Sequence, residues 1–327
     1  MRPGLFLRAF IVGVLLLGFS LSVEGATVYV ANQGLDKIQV VDTDAKKVVQ
    51  EIDLAKTPHN LIFSPDKKWL YVASVGSNDV SIIEVESGKV VDKIPTDKRA
   101  HGLALSPDGK ELCSINVGAN NVSIIDLKEK KVVATIPVGQ APAVAIFSKD
   151  GKKLYVTSGG DQGISVVDTK KRQVIKTFSL PKGFHVDHKL TAGAMGVSRT
   201  GDGRYVLVAN GYANSVSIID TAKDQVLTTL PTGTEAHDVV VSPDGKFAYV
   251  TNRLGQSVSV IDIKARKVLH HILVGQKPDI IDVSLDGKWA FTTSREEKGL
   301  LVIDLVNRKQ VESIPLGGDP HGVAFLK

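Results

Sequence analysis

An all-β fold, a seven-bladed β-propeller of four-stranded blades, is predicted by three observations. The acidic residue closing each Ser-Ile-Ile-Asp-like run recurs at Asp42, Glu84, Asp126, Asp168, Asp220, Asp262 and Asp304, at spacings of 42, 42, 42, 52, 42 and 42. A second acid series, Asp66, Asp108, Asp150, Asp202, Asp244 and Asp286, repeats with the same single break. No segment sustains a 3.6-residue apolar period, so helices are expected to be nearly absent. A fixed period of this length, holding four short strands per unit, is the signature of a propeller and not of a solenoid or a βαβ array.

Residues 216–252 are the cleanest copy of the unit. It begins with Val216-Ser217-Ile218-Ile219, whose β-branched side chains suit a pleated surface covered on both faces by neighbouring blades. A polar turn and a run through Leu230-Pro231 come next, and then a glycine loop. The run Asp238 to Val241 and the hairpin Ser242-Pro243-Asp244-Gly245-Lys246 lead into a final strand ending at Asn252. In that hairpin, proline sets φ, the aspartate closes onto the backbone and glycine takes the left-handed position. Tyr29, Tyr71, Cys113, Tyr155, Leu207, Tyr249 and Phe291 form a column supplying one side chain per blade to the packing between sheets, all but Cys113 large. Cys113 reads there as a small buried apolar residue.

Seven units are counted. The chain opens on a Tyr-Val-Ala-Asn strand at residue 29 and ends on Gly322-Val323-Ala324-Phe325-Leu326, an innermost-type strand with no partner after it. The C-terminal strand is therefore expected to complete the N-terminal blade, which closes the ring and removes both open sheet edges.

Residues 1–25 differ from the rest. Arg2 and Arg8 precede an uncharged run over residues 9–19, and Val23-Glu24-Gly25 puts small residues at −3 and −1 of a cleavage point. A secretory signal peptide is expected, with an uncleaved N-terminal anchor as the rival; the apolar run is short for a bilayer. The mature chain, residues 26–327, is then a single periplasmic or secreted domain, expected to be a monomer without a membrane span. One cysteine in 327 residues excludes an intramolecular disulfide framework, a Cys₄ zinc site and a C-x-x-C-H attachment of c-type haem. The net charge of +5 permits an anionic partner without demanding one.

The motifs Tyr249-Val250-Thr251-Asn252, Tyr29-Val30-Ala31-Asn32 and Tyr155-Val156-Thr157-Ser158 resemble those of the YVTN family of β-propeller repeats, and the likeness covers residues 26–327. The resemblance implies a secreted or periplasmic propeller of the YncE-like group or of the group associated with PQQ-dependent alcohol catabolism. A more distant similarity extends to haem d1 and lactonase propellers. These relatives have unrelated activities, so the likeness carries fold and little function.

Blade topology sorts the loops onto two faces. The hairpins and third-to-fourth turns share a face rich in lysine and arginine. Turns favour polar residues, so a solvated surface is the simpler reading; nucleic acid is disfavoured, without being excluded, because few aromatics are interleaved with these cations. The opposite face, at the channel mouth, carries His59, His101, Ala143, Met195, His237, Asp279 and His321 just before the innermost strands. Around the closed ring His237, Asp279, His321, His59 and His101 fall on five consecutive blades. The ten-residue insertion, about residues 181–191, adds His185, Asp187 and His188 as candidate metal ligands. Arg253 and Arg295, on adjacent blades beside Asp279, could bind a carboxylate or phosphate.

The histidines admit two readings. In one, each imidazole hydrogen-bonds within its own blade and is purely structural. In the other, they build a site for a divalent transition metal or a haem-like group, since neutral imidazole suits such ions. No nucleophile elbow, zinc-protease helix motif, phosphate-binding loop or dinucleotide fingerprint occurs. The leading expectation is a non-catalytic propeller binding a protein or small-molecule partner at the channel mouth, accessory to a redox, metal or cofactor-dependent pathway. A lactonase-type hydrolase and a haem or metal carrier are the alternatives.

Overall fold

The structure is a computed structural model that describes residues 26–54, 56–183 and 193–326. The described residues form seven four-stranded antiparallel sheets and no helix. Each sheet is a meander, and its innermost strands are Pro58–Phe63, Ala100–Leu105, Pro142–Phe147, Val197–Arg199, Ala236–Val241, Pro278–Val283 and Pro320–Phe325. Consecutive innermost strands touch all the way round, and Pro320–Phe325 also touches Pro58–Phe63, so the ring is closed.

Closure runs through the termini, as expected. Pro320–Phe325 pairs antiparallel with Thr27–Asn32, placing Tyr29 opposite Ala324 and Val30 opposite Val323. This innermost strand begins two residues earlier than the apolar run Gly322-Val323-Ala324 suggests, because Pro320 already pairs with Asn32, with an irregularity in the register between that pair and Val30–Val323. The His/Asp positions of the channel mouth likewise lie one residue inside the innermost strands rather than before them.

Burial follows the layering of blades. Second and third strands such as Phe247–Asn252 and Ser257–Asp262 are buried along nearly their whole length, since blades cover both of their faces. Outer strands such as Lys89–Pro95 alternate between exposed and partly buried positions. The core is consequently divided into seven apolar layers, one per blade boundary. At the closing boundary Val28, Val30, Val323 and Phe325 pack against Phe291, Leu300 and Val302. All seven members of the Tyr29–Phe291 column are buried, including Cys113, whose thiol is pushed up by burial and is held as an inert packing group.

Both repeated acid series cap turns. Asp244 Oδ1 accepts the Ser242 hydroxyl at 2.7 Å and the Lys246 amide at 3.0 Å, while Ser242 Oγ accepts the Phe247 amide. The same bonds recur at Asp66, Asp108, Asp150 and Asp286, and at Asp202 with Thr200 in place of serine. Glycine follows the aspartate with positive φ, as at Gly245 (70°); in the first hairpin Lys67 takes that conformation (59°). The acids closing third strands cap the next turn, as Asp220 does for the Ala222 and Lys223 amides. Neither series is left over for chemistry. Several hairpin lysines sit near their own capping acids, with Lys246 3.0 Å from Asp244 and Lys288 3.4 Å from Asp286. This partly neutralises the basic face.

Candidate functional site at the channel mouth

Five blades converge on one spot because their innermost strands carry a polar side chain at the same register. His59, His101, His237 and His321 line a cavity of about 220 Å³ together with Asn60, Met195, Asp238, Arg253 and Arg295. Asp279 lies behind them and is completely buried. A larger cavity of about 630 Å³ sits on the hairpin face, lined by turn residues such as Asp202, Arg204, Asp244 and Arg266. Two of its acids are the turn caps already described, so the smaller channel-mouth cavity holds the richer chemistry.

The backbone under this site is fixed across blade boundaries. The Thr251 hydroxyl donates to the Asp279 carbonyl at 2.7 Å, and Thr293 donates to the His321 carbonyl at 2.5 Å. Thr157 makes the corresponding bond to Met195 at 2.9 Å. The threonine of the Tyr-Val-Thr-Asn motif therefore anchors the strand of the following blade. The neighbouring Asn252 Nδ2 donates to Ser257 and Ser259, tying the second strand to the third.

Two of the histidines, His101 and His321, bond across blades and not within them, which corrects the within-blade reading for those two; Nδ1 of His59 and of His237 has no hydrogen-bond partner among the described residues. His101 Nδ1 lies 2.8 Å from the Ala143 carbonyl, and His321 Nδ1 lies 3.3 Å from the His59 carbonyl. A carbonyl only accepts, so each Nδ1 carries the proton and each Nε2 keeps its lone pair in the neutral form. The His59 ring sits between the other two, with centroids 3.8 Å from both His101 and His321. Burial, then the neighbouring imidazoles, holds His59 well below the usual histidine range. Burial first lowers His101 and His321 to about 4. These three imidazoles are therefore neutral at pH 7.

Charge is concentrated around Asp279. His237 Nε2 lies 2.6 Å from Oδ1 and His321 Nε2 lies 3.7 Å from Oδ2. Arg253 Nε is 3.6 Å from one oxygen and Arg295 Nε 4.0 Å from the other. Burial alone would push this carboxyl up; the close approach of His237 and the Arg253 guanidinium outweigh it and hold the group well below the usual carboxylate range. Each arginine also meets a second acid, Arg253 with Glu235 at 3.4 Å and Arg295 with Asp319 through Nε at 2.6 Å and a further short contact. The result is an alternating row, Glu235–Arg253–Asp279–Arg295–Asp319, across three blades. Asp238, pushed up to about 6 chiefly by burial, accepts the Ile281 amide at 3.1 Å.

The structure thus brings together all seven channel-mouth candidates: His59, His101, His237, Asp279, His321, Arg253 and Arg295. The two arginines, expected to await an external anion, are already engaged by Glu235 and Asp319. Sequence reasoning missed these two acids. The available signal was their position two residues before His237 and His321, which no other repeat fills with an acid. His185, Asp187 and His188 lie outside the described residues. His270 and His271 lie in the outer strand Lys267–Leu273, away from the mouth, where His271 Nδ1 meets Ser259 Oγ at 3.0 Å.

A sequence profile of YNCE-like β-propellers matches residues 19–191 and 181–279. The chain belongs to the YNCE-like β-propeller family. No curated protein matches it. Among solved structures, this YNCE-like propeller is similar to hydrazine synthase of Kuenenia stuttgartiensis, with a TM-score of 0.74 and 21% identity over 85% of this chain and 92% of the other. It also resembles a functionally unknown protein from Desulfotomaculum acetoxidans, at TM-score 0.75 and 18% identity over 91% and 98% of the two chains. A third similar structure is the dihydro-haem d1 dehydrogenase NirN in complex with DHE, at TM-score 0.66 and 18% identity over 92% and 75%. At these identities the likeness shows a shared propeller fold, which agrees with the blades of this YNCE-like chain and leaves its ligand to be argued from the site.

Proposed function

We propose that this YNCE-like propeller is an exported, non-catalytic binding protein that takes a small ligand, or the tip of a larger one, at the channel mouth. It would serve a periplasmic redox, metal or cofactor-dependent pathway. The observation carrying this reading is the convergence of polar groups from five consecutive blades on one cavity of about 220 Å³. Cavities that enclose a drug-sized molecule run to roughly 300–1,000 Å³, so this one suits an ion or a small acid group rather than a whole macrocycle. Among the described residues, the cavity lining contains no serine, threonine, cysteine or lysine to act as a nucleophile. Export rests on the leader-like pattern of residues 1–25, and no helix among the described residues is long and apolar enough to cross a membrane.

Native mass spectrometry of protein purified from the periplasm tests the proposal. A mature chain starting at residue 26 and a bound species are expected. The variant Ala143→Met fills the cavity without removing a polar group and should lose that species. A wild-type chain carrying nothing, and unmoved in melting temperature by a panel of small carboxylates, phosphates and divalent metals, would remove the proposal. One observation favours a second reading, a lactonase-type hydrolase: the 2.6 Å Asp279–His237 pair has the form of a base with its orienting carboxylate. Turnover of any member of a lactone panel, lost in His237→Gln, would replace the first reading with this one.

A further inference from the structure

The cluster around Asp279 holds a contradiction that the protein's own atoms do not resolve. Asp279 is wholly buried, yet neither of its oxygens accepts a well-aligned hydrogen bond. Buried carboxylates normally find such partners, and leaving one without them is costly. The His321 contact to the His59 carbonyl puts the proton on Nδ1, so the bare Nε2 faces Asp279 Oδ2 at 3.7 Å. Two acceptors therefore confront each other. On the other side, His237 Nε2 approaches Oδ1 to 2.6 Å without hydrogen-bond alignment, and its Nδ1 has no partner.

Charge points the same way. In the row of ion pairs, Asp279, Glu235 and Asp319 stand against Arg253 and Arg295, three negative groups against two positive. The excess negative charge sits on the most buried member. A cation between the carboxylate and the two imidazoles would remove both the excess charge and the acceptor–acceptor contact.

We propose that Asp279, His237 and His321 form a binding site for a divalent transition metal, with its open position facing the channel-mouth cavity. One nitrogen or oxygen from each residue lies within 4.8 Å of the others, and the three groups are buried. Donors at about 2.0–2.2 Å from a tetrahedral ion stand roughly 3.3–3.6 Å apart, so the 2.6 Å His237–Asp279 contact would open by under about 1 Å to admit one, while the 3.7 Å His321–Asp279 separation already fits. Two imidazoles and a carboxylate form the donor set of three-ligand zinc sites with an open fourth position. The Nδ1–H contact from His321 to a backbone carbonyl is the outer-shell arrangement that orients a metal-binding histidine through Nε2. Because His237 and His321 line the cavity while Asp279 lies behind it, the open position falls where a ligand would enter. This inference rests on the binding reading above and names its site. The rival arrangement is a protonated His237 that neutralises Asp279 with no metal.

The test is titration of chelator-treated full-length protein with zinc chloride by calorimetry, with cobalt chloride as a spectroscopic probe. One equivalent should bind, and cobalt should give the absorption of a tetrahedral or five-coordinate ion. Asp279→Asn should weaken binding by on the order of 100-fold or more. If that variant does not fold, His321→Gln and His237→Gln, checked by circular dichroism, provide the same reading. Folded wild-type protein that binds no metal overturns the site. If that protein still responds to small anions in melting temperature, the binding reading survives; if it responds to nothing, both fall. Stoichiometric binding untouched by the three variants but lost on replacing His185 and His188 also overturns the site, by moving the metal to the insertion.

Discussion

Asp282 Oδ2 accepts the backbone amide of Phe325 at 2.8 Å, binding the last strand of the chain to the blade before it. The other carboxylate oxygen accepts the Val283 amide at 2.8 Å, and Lys67 from the following blade reaches the Phe325 carbonyl at 3.2 Å. The closing strand is therefore gripped from both neighbours as well as by its own sheet. Replacing Asp282 with Ala leaves the Phe325 amide without its acceptor and should cost about 1–3 kcal/mol. Asp282→Asn keeps one acceptor and should cost distinctly less. Urea unfolding measures both, and equal losses would show that the bond is not what matters there.

The ring itself can be opened. Phe325 stacks on Phe291 with centroids 5.5 Å apart and planes 6° from parallel, and it is 7% exposed. Phe325→Ala should cost about 3–5 kcal/mol. Deleting residues 319–327 removes this stack, the strand pairing and Asp319, so its melting temperature should fall further still. A truncated chain that melts with the wild type would refute closure through the termini.

Acid should loosen the hairpins below about pH 4. Asp244 is lowered to about 2 by the Ser242 hydroxyl and the Lys246 amide, and Asp66, Asp108, Asp150, Asp202 and Asp286 are lowered by similar bonds, in Asp286 against an opposing push from burial. A carboxyl whose folded value lies below its unfolded one stabilises the fold above the unfolded value, about 4. That stabilisation disappears as pH falls through the folded value. Asp244→Asn should therefore be less stable than wild type at pH 7, with the difference vanishing near pH 2. Circular dichroism across this window checks the sign.

The fully buried threonines of the repeat should prove to be measurable anchors. Thr251→Val and Thr293→Val each remove a hydroxyl that anchors the Asp279 or His321 carbonyl, at about 1 kcal/mol apiece. Amide exchange on the innermost strands Pro278–Val283 and Pro320–Phe325 should quicken locally. Exchange that rises equally in all blades would mean a global effect instead.

Cys113 is the simplest probe of the packed layers. It is fully buried with its thiol pushed up, so alkylation in native buffer should be negligible and should track unfolding in denaturant. Labelling of the folded protein would contradict the packing of that layer.

The repeat was legible because its period is a property of single residues: one acid per turn, one large side chain in every blade but that of Cys113, one polar group at five of the seven inner strands. Even the five-blade arc of His237, Asp279, His321, His59 and His101 followed from counting, once closure through the termini was assumed. What counting could not reach were orientations. Only the fold sets Glu235 and Asp319 against Arg253 and Arg295. The histidines admitted a within-blade and a ligand-binding reading, and only the fold set the ring nitrogens of His101 and His321 against carbonyls of the next blade.

By itself, then, the chain's sequence determined the all-β propeller, its seven blades, its closing strand and the face on which polar groups gather. Those depend on local turn chemistry and periodic burial, which short-range residue patterns encode. Only the tertiary structure decided that Asp279 is sealed behind two imidazoles with no aligned donor. That outcome depends on how adjacent blades twist against each other, and distances of 2.6–3.7 Å between residues 42 positions apart are set by that packing alone.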